Sequence, residues 1–337
     1  MTIVSIICPI YNEERFIDNL IRAVLHQDFP ADQWELLLVD GFSTDATRRL
    51  IQPYIEQYPN IHLLDNPHRT VPYAMNIGIE AAKGEYICRM DVHASFPNNY
   101  VSTLLHYIQV LPNAGNVGSV CHTQPRANTP VSKAIAYALS SRFGVGNSDF
   151  RTGIEQIQEC DTVPFGCFEK QTLIEVGLYD TRLTRNQDIE LNQRIRETGK
   201  KIYLLPEPKC TYYPRATYSA LMENNFYTGG WNILTVHYTG HMQALAPRHF
   251  IPLLFVLSLF LPLPFCFISP YVAIISLISL ATYLLALTMV CLHASIRDKQ
   301  HFVYLMLAYM SLHFSYGFGS LCGILQVPYI LLFSQSK

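Results

Sequence analysis

The chain has 337 residues, enough for one large domain with an appendage, and a formal net charge of −2 with no basic tract. That balance excludes an electrostatically driven nucleic-acid binder. Charged residues are 15% and apolar residues 50%, but the two ends differ: up to about Arg248 the composition is that of a soluble protein, whereas after Phe250 the chain is mostly apolar. The nine cysteines show no zinc-knuckle or CxxC spacing and read as buried, reduced thiols. The N-terminal apolar run has no basic leader and breaks at Pro9, so it does not read as a signal peptide.

In chain order, residues 3–7 are a short apolar run that reads as a buried strand, followed by the turn CPIYNEE. FIDNLIRAVLHQ has helical spacing at Phe16, Leu20, Ala23 and Val24. Residues 34–39 form a second strand that stops at Asp40 before GFSTDAT, where Thr44 or Asp45 can cap a helix running through Tyr54. Residues 61–64 are a third strand, and residues 70–82 a helix ended by Gly84. KGEYICRMDVH follows, with a strand over 85–90 that ends at Asp91 and His93. Strands alternating with helices imply right-handed crossovers and a parallel sheet.

The fingerprint of a dinucleotide fold is missing: no GxGxxG follows the first strand, and no GxxxxGK[ST] occurs. The first turn instead carries Pro9, Tyr11, Asn12 and Glu13, an aromatic face and a carboxylate suited to a base and ribose. Asp40 can accept a hydrogen bond from a uracil or a ribose. Alternation along an extended chain lets Asp91 and His93 point the same way off the carboxyl end of a strand, where ligands bind in open α/β sheets. A carboxylate with an imidazole suits Mn²⁺ better than Mg²⁺. Each residue singly is also ordinary turn chemistry; together, Glu13, Asp40 and Asp91 place a carboxylate at three strand ends.

CPIYNEE, VDGFSTDAT, RMDVH, VPFGCFEKQTLIEVGLYD and TRNQDIELNQRIRETG, in this order, resemble the motifs of the family 2 glycosyltransferases. The resemblance runs from about Val4 to about Pro214 and is nearest to membrane-anchored enzymes of bacterial exopolysaccharide and succinoglycan-type biosynthesis. It departs at His93, which stands for the second Asp of DxD, and at Asn186-Gln187-Asp188, where only Asp188 is left as a base. Glu190, two residues on, would face elsewhere on a helix.

Beyond the motifs, residues 131–141 read as a helix. Residues 143–153 read as a loop rich in Gly, Asn, Ser and Asp, either a plain surface loop or a lid. A helix over 189–197 closes at Gly199, and a strand covers 201–205. Residues 217–243 carry Tyr218, Phe226, Tyr227, Trp231 and Tyr238 with few charges and read as an interfacial helix pair broken near Gly229 and Gly230. Residues 250–268 and 271–292 contain no Asp, Glu, Lys or Arg and are each long enough to cross a ~30 Å hydrocarbon core. A third apolar segment starts at Phe302. Arg248 before the first span, and Arg297 and Lys299 after the second, put the N-terminal domain and the 297–299 connection in the cytoplasm by the positive-inside rule.

The resemblance implies an α/β GT-A domain over residues 1–215, interfacial amphipathic helices over 216–248, and about three transmembrane helices over 249–334. It implies an inverting, metal-dependent hexosyl transfer from a nucleotide-sugar, most often UDP-linked, to a lipid-linked (polyprenyl) saccharide acceptor at the inner (plasma) membrane. Pro9, Tyr11, Glu13, Asp40 and Asp91 would bind the donor, Asp91 and His93 would hold Mn²⁺ or Mg²⁺, and Asp188 would be the general base. A processive polysaccharide synthase is the second expectation, weakened because no QxxRW-like motif follows Ala216. A catalytically silent membrane scaffold is the third, and the presence of Asp188 opposes it.

Overall fold

The short apolar strands fold into a parallel sheet because both their faces are covered by helices. In the computed structural model, which describes residues 2–333, β1 (Val4–Ile10), β2 (Trp34–Asp40), β3 (Ile61–Asp65) and β4 (Tyr86–Arg89) alternate with α1 (Ile17–Leu25), α2 (Thr47–Gln57) and α3 (Val71–Ala81). Every residue of β2 is buried, as a strand covered on two sides requires. Ile17, Leu20, Ile21 and Val24 form the buried stripe of α1. Each such side chain contributes on the order of 1.5–3 kcal/mol.

The chain continues through β5 (Ala94–Ser95), α4 (Tyr100–Val110), β6 (Ala114–Thr123), α5 (Pro130–Leu139) and the single turns α6 (Arg142–Val145) and α7 (Asp149–Thr152). Next come β7 (Gln158–Glu159), β8 (Cys167–Glu169), α8 (Lys170–Glu175), α9 (Gln187–Glu197) and β9 (Lys201–Tyr212). Among the described residues the strands form one sheet in the order β3-β2-β1-β4-β8-β6-β9-β5, with β7 paired to β9. β1 pairs in parallel with β2 on one side and with β4 on the other, and β8 runs antiparallel to β4. The chain therefore winds outward from β1 through β2 to β3, then returns to β4 on the opposite flank of β1. The crevice between the carboxyl ends of β1 and β4 is the topological switch point, where open α/β sheets bind ligands.

Two compact units result. The first comprises Met1–His122 and Thr152–Tyr212; the second comprises Thr123–Arg151 and Tyr213–Lys337. Residues 123–151 thus group with the C-terminal part of the chain and, apart from Thr123, the last residue of β6, lie outside the sheet, whereas the expected division was a single one at residue 215. The expected outer limits, Met1 and Ser334, lie outside the described residues.

Gly84 does not end α3 as a left-handed cap. The helix stops at Ala81, Ala82 is extended (φ −60, ψ 134), and a Cβ on Gly84 would lie 2.6 Å from the Ser5 backbone nitrogen. Glycine is needed there for close approach to β1.

In the second unit α10 (Tyr218–Thr239), α11 (Ile251–Phe260), α12 (Ala273–Arg297) and α13 (Phe302–Phe333) follow one another. The expected break at Gly229 and Gly230 is absent: α10 is one helix of 22 residues. These glycines serve packing, since a Cβ on Gly229 would come 2.1 Å from the Tyr316 carbonyl oxygen and one on Gly319 would come 1.9 Å from that of Phe226. α10 and α13 therefore cross at backbone contact, which small residues on both faces allow. The Asn232 amide donates to the Tyr316 hydroxyl at 2.7 Å, and the Ser320 hydroxyl to the Gly229 carbonyl at 3.0 Å.

The stretch read as a loop over 143–153 is two short helical turns separated by residues 146–148. Phe143 stands edge-on to Tyr309 and His313, with ring centroids 5.0 and 5.2 Å away, so it is packed within the second unit. Among the described residues two segments, Pro247–Phe267 and Ala273–Arg297, are long and apolar enough to cross a membrane. The third apolar segment, expected from Phe302, is α13; it runs unbroken past Gly317 and is not one of these two, so two spans and not about three are found among the described residues. Its Leu305, Ala308, Tyr309 and Leu312 are buried with Ala134, Ile135 and Leu221.

Candidate active site

Two motifs some thirty residues apart in sequence close into a single knot at the carboxyl ends of β1 and β2. Asn12 adopts a left-handed φ of 56, which turns its side chain so that Oδ1 accepts from the Thr44 backbone N–H at 2.8 Å. Its own N–H donates to the Ser43 hydroxyl at 2.8 Å. The Glu13 N–H donates to Thr47 Oγ1 at 2.7 Å, and the Glu14 N–H to Asp45 Oδ2 at 3.2 Å. Asn12 in the first segment and Ser43, Asp45 and Thr47 in the second supply side chains that replace the backbone partners such turns lack.

Of the expected nucleotide contacts, Pro9 lies within β1 and Tyr11 presents its ring, 42% exposed. The Arg69 guanidinium stands 5.8 Å from the Tyr11 ring centroid, a cation the sequence reading passed over. Asp40 is placed differently from expectation. It is fully buried, and its carboxylate accepts from the Ser43 hydroxyl at 2.5 Å and from Arg48 Nε at 2.5 Å. The Ser43 N–H also donates to this carboxylate, at 3.1 Å to Oδ2.

Glu13 also faces inward. Its Oε1 lies 3.0 Å from His93 Nε2, and the Phe16 ring meets the His93 ring edge-on at 5.1 Å. The other imidazole nitrogen, Nδ1, is buried with no hydrogen-bond partner among the described residues. β4 ends at Arg89, and Asp91 opens a turn in which the Ala94 N–H donates to the Asp91 carbonyl at 3.2 Å. Asp91 and His93 thus stand in one turn but touch different neighbours.

Arg89 organises the rest of the site. Its Nε donates to Asp91 Oδ1 and one terminal nitrogen to Asp91 Oδ2, both at 2.8 Å. The other terminal nitrogen donates to Asp188 Oδ1 at 2.7 Å. The Arg89 side chain is 9% exposed, while Asp91 and Asp188 keep 28% and 38% of their side-chain surface open. Charge-assisted, bidentate geometry of this kind is strong as well as directional. Asp188 belongs to the first turn of α9, after Asn186 in a left-handed conformation (φ 61) that makes no side-chain cap. It is inside the helix, not just before it. Glu190 faces away, as expected on a helix, and is held by Arg194 at 2.7 Å.

Behind Asp188, Tyr179 is buried. Its backbone is gripped on both sides by Asn76, whose amide donates to the Tyr179 carbonyl and whose Oδ1 accepts from the Tyr179 N–H, each at 2.9 Å. The VGLYD segment is thereby fixed to α3. Desolvation in this crevice raises the Asp188 carboxyl above its ordinary value, Arg89 opposes that rise, and the Asp91 charge adds to it.

The sequence model of glycosyl transferase family 2 matches residues 5–168. The chain is 30% identical over 224 residues to the dolichyl N-acetyl-alpha-D-glucosaminyl phosphate 3-beta-D-2,3-diacetamido-2,3-dideoxy-beta-D-glucuronosyltransferase of Methanococcus voltae, covering 64% of this chain and 68% of that one. It is 29% identical over 213 residues to the succinoglycan biosynthesis protein ExoA of Rhizobium meliloti, covering 63% of each. Among solved structures, the mannosyltransferase PcManGT from Pyrobaculum calidifontis, in complex with GDP-Man and Mn²⁺, superposes with a TM-score of 0.62 at 17% identity over 94% of this chain and 86% of that one. The chain belongs to glycosyl transferase family 2; its sheet has the GT-A fold, and the protein is a glycosyltransferase.

Proposed function

We propose that this glycosyltransferase moves a sugar, with inversion, from a nucleoside diphosphate to a hydroxyl of a polyprenyl-linked saccharide at the membrane surface, in the biosynthesis of a cell-surface polysaccharide. UDP is the favoured nucleotide. The observation that carries this reading is the single guanidinium of Arg89 bound to both Asp91 and Asp188. It brings the carboxylate at the switch point within one side chain of a second carboxylate on the opposite wall. The names of the two sequence relatives, one acting on a dolichyl-phosphate sugar and one in succinoglycan biosynthesis, support the acceptor class. The two apolar segments support a membrane location, with the sheet on the cytoplasmic side.

In this reading Pro9 and Tyr11 receive the base and ribose, with Arg69 beside them. The residues at the crevice fit a divalent ion. Asp91 keeps an open face, and His93 has an orphaned buried nitrogen. Few protein ligands plus substrate phosphates is the usual way Mg²⁺ is held at such sites. Asp91 and His93 would hold the ion, which when bound supplies Lewis-acid stabilisation of the departing diphosphate. Asp188 takes the proton of the acceptor hydroxyl as its oxygen attacks the anomeric carbon. The bond from that carbon to the diphosphate oxygen breaks, and the electron pair leaves with the diphosphate.

The test is direct. Membranes carrying the protein are incubated with a panel of radiolabelled nucleotide-sugars, and label is followed into the lipid fraction. Entry of one sugar label supports the reading. No label in lipid from any donor, with normal donor binding, overturns the acceptor class.

A further inference from the structure

We infer that Arg89 is a positioning residue for transfer: it fixes the Asp188 carboxylate against Asp91 by a rigid three-bond bridge. The inference rests on the assignment of Asp188 as the base.

Asp188 enters the crevice from the first turn of α9, and Asp91 from the turn after β4. The Arg89 side chain bridges these two elements at the reacting centre. A guanidinium is planar and presents its five N–H groups at fixed angles. Here the Nε edge forks onto both oxygens of Asp91 and the far nitrogen reaches Asp188 Oδ1. Once Asp91 is engaged by two bonds, the plane is set, and so is the point where Oδ1 must lie. Asp188 Oδ2 is then the atom that meets the acceptor proton. Tyr179, anchored by Asn76, completes the wall behind the pair.

A lysine at this position could not do the same. One ammonium on a flexible stem cannot hold two carboxylates in fixed directions. A bystander counter-ion, by contrast, would need only charge. The two roles therefore separate by substitution.

The full-length protein in membranes would be compared as wild type, Arg89→Lys, Arg89→Ala, Asp188→Asn and Arg89→Ala/Asp188→Asn. Donor affinity is measured by retention of labelled nucleotide-sugar, transfer by kcat, and rescue by added guanidinium ion. Positioning predicts that Arg89→Lys and Arg89→Ala both lose on the order of 10²-fold in kcat, the scale expected when a general base is misplaced. Donor affinity should change less than threefold or so, since the loss is in the transition state. Guanidinium should restore part of the rate to Arg89→Ala and none to the double variant. The double variant should be no slower than Asp188→Asn, because residues acting as one unit are not additive. Full rate in Arg89→Lys, or an additive loss in the double variant, overturns the inference. If Arg89→Ala no longer binds donor, the result in Arg89→Lys, which keeps the charge, decides. Normal transfer by Asp188→Asn would instead overturn the base assignment, a different failure read in a different variant.

Discussion

Glu13 Oε1 and His93 Nε2 lie 3.0 Å apart, tying the turn after β1 to the turn after β4 across the switch point. The contact engages the Glu13 carboxylate that its place in PIYNEE led one to expect at the nucleotide. A carboxylate on one imidazole nitrogen fixes the ring and its tautomer, which leaves the other nitrogen to act as a ligand. That other nitrogen is the one buried without a partner among the described residues. Glu13→Gln should therefore weaken divalent-ion affinity by about 10–100-fold, the cost usual for losing such an orienting partner. Mn²⁺ binding in the presence of nucleoside diphosphate measures it, and unchanged affinity would return Glu13 to the nucleotide.

The ion itself is tested at Asp91 and His93. Transfer should require Mn²⁺ or Mg²⁺ and vanish in Asp91→Ala. His93→Asp should keep part of the activity, because a carboxylate restores the ligand commoner in the family. Full transfer by Asp91→Ala in excess chelator would remove the ion from the mechanism.

The sheet was legible because strand runs of four to seven residues alternate with helical spacing and stop at polar turns. The three carboxylate-bearing strand ends were legible for the same reason. Arg89 was not singled out, although the signal was there. It sits two residues before Asp91, on the same face by the alternation that paired Asp91 with His93, and it is a charge at the end of an otherwise buried strand. Asp40 went the other way: nothing local shows that Arg48, eight residues on, would neutralise it. The grouping of residues 123–151 with the helices depends on tertiary contacts such as Phe143 against Tyr309, which no periodicity reports. Gly229 and Gly230 read as a helix break because glycine lowers helix propensity; packing against α13 outweighed that cost of about 1 kcal/mol per residue.

Topology gives the third prediction. The Tyr137 hydroxyl donates to Asp298 Oδ2 at 2.6 Å, so α5 touches the connection between α12 and α13. Only a short polar segment separates α5 from β6, so the connection and the sheet should share one side of the membrane. By the positive-inside rule that side should be cytoplasmic. Asp298→Cys should resist an impermeant thiol reagent in intact cells and react in inverted vesicles. Labelling from outside would reverse the orientation.

The fourth prediction concerns Asp188, for which two roles compete. As an acidic residue in the first turn of α9 it would favour the helix dipole, worth about 0.3–1 kcal/mol at a surface site. As the base it would carry about 10²–10⁴ in rate. Asp188→Asn keeps the shape and an acceptor oxygen for Arg89, and Arg89 retains both bonds to Asp91. The variant should therefore fold, insert and bind donor, yet transfer at on the order of 10⁻² to 10⁻⁴ of the normal rate. The pH dependence adds a second check. The base works as carboxylate, and desolvation raises its folded-state pKa, so transfer should fall with decreasing pH through a value above the ~3.9 of an ordinary Asp. The same shift means that ionising Asp188 costs folding stability, a cost absent below the ordinary value and fully present above the raised one. Relief of that cost in Asp188→Asn offsets part of the lost dipole interaction, so its thermal midpoint at neutral pH should stay near that of the parent. A wild-type transfer rate in Asp188→Asn, or a pH–rate profile whose acid limb is unchanged in a slow variant, would show that the proton goes elsewhere.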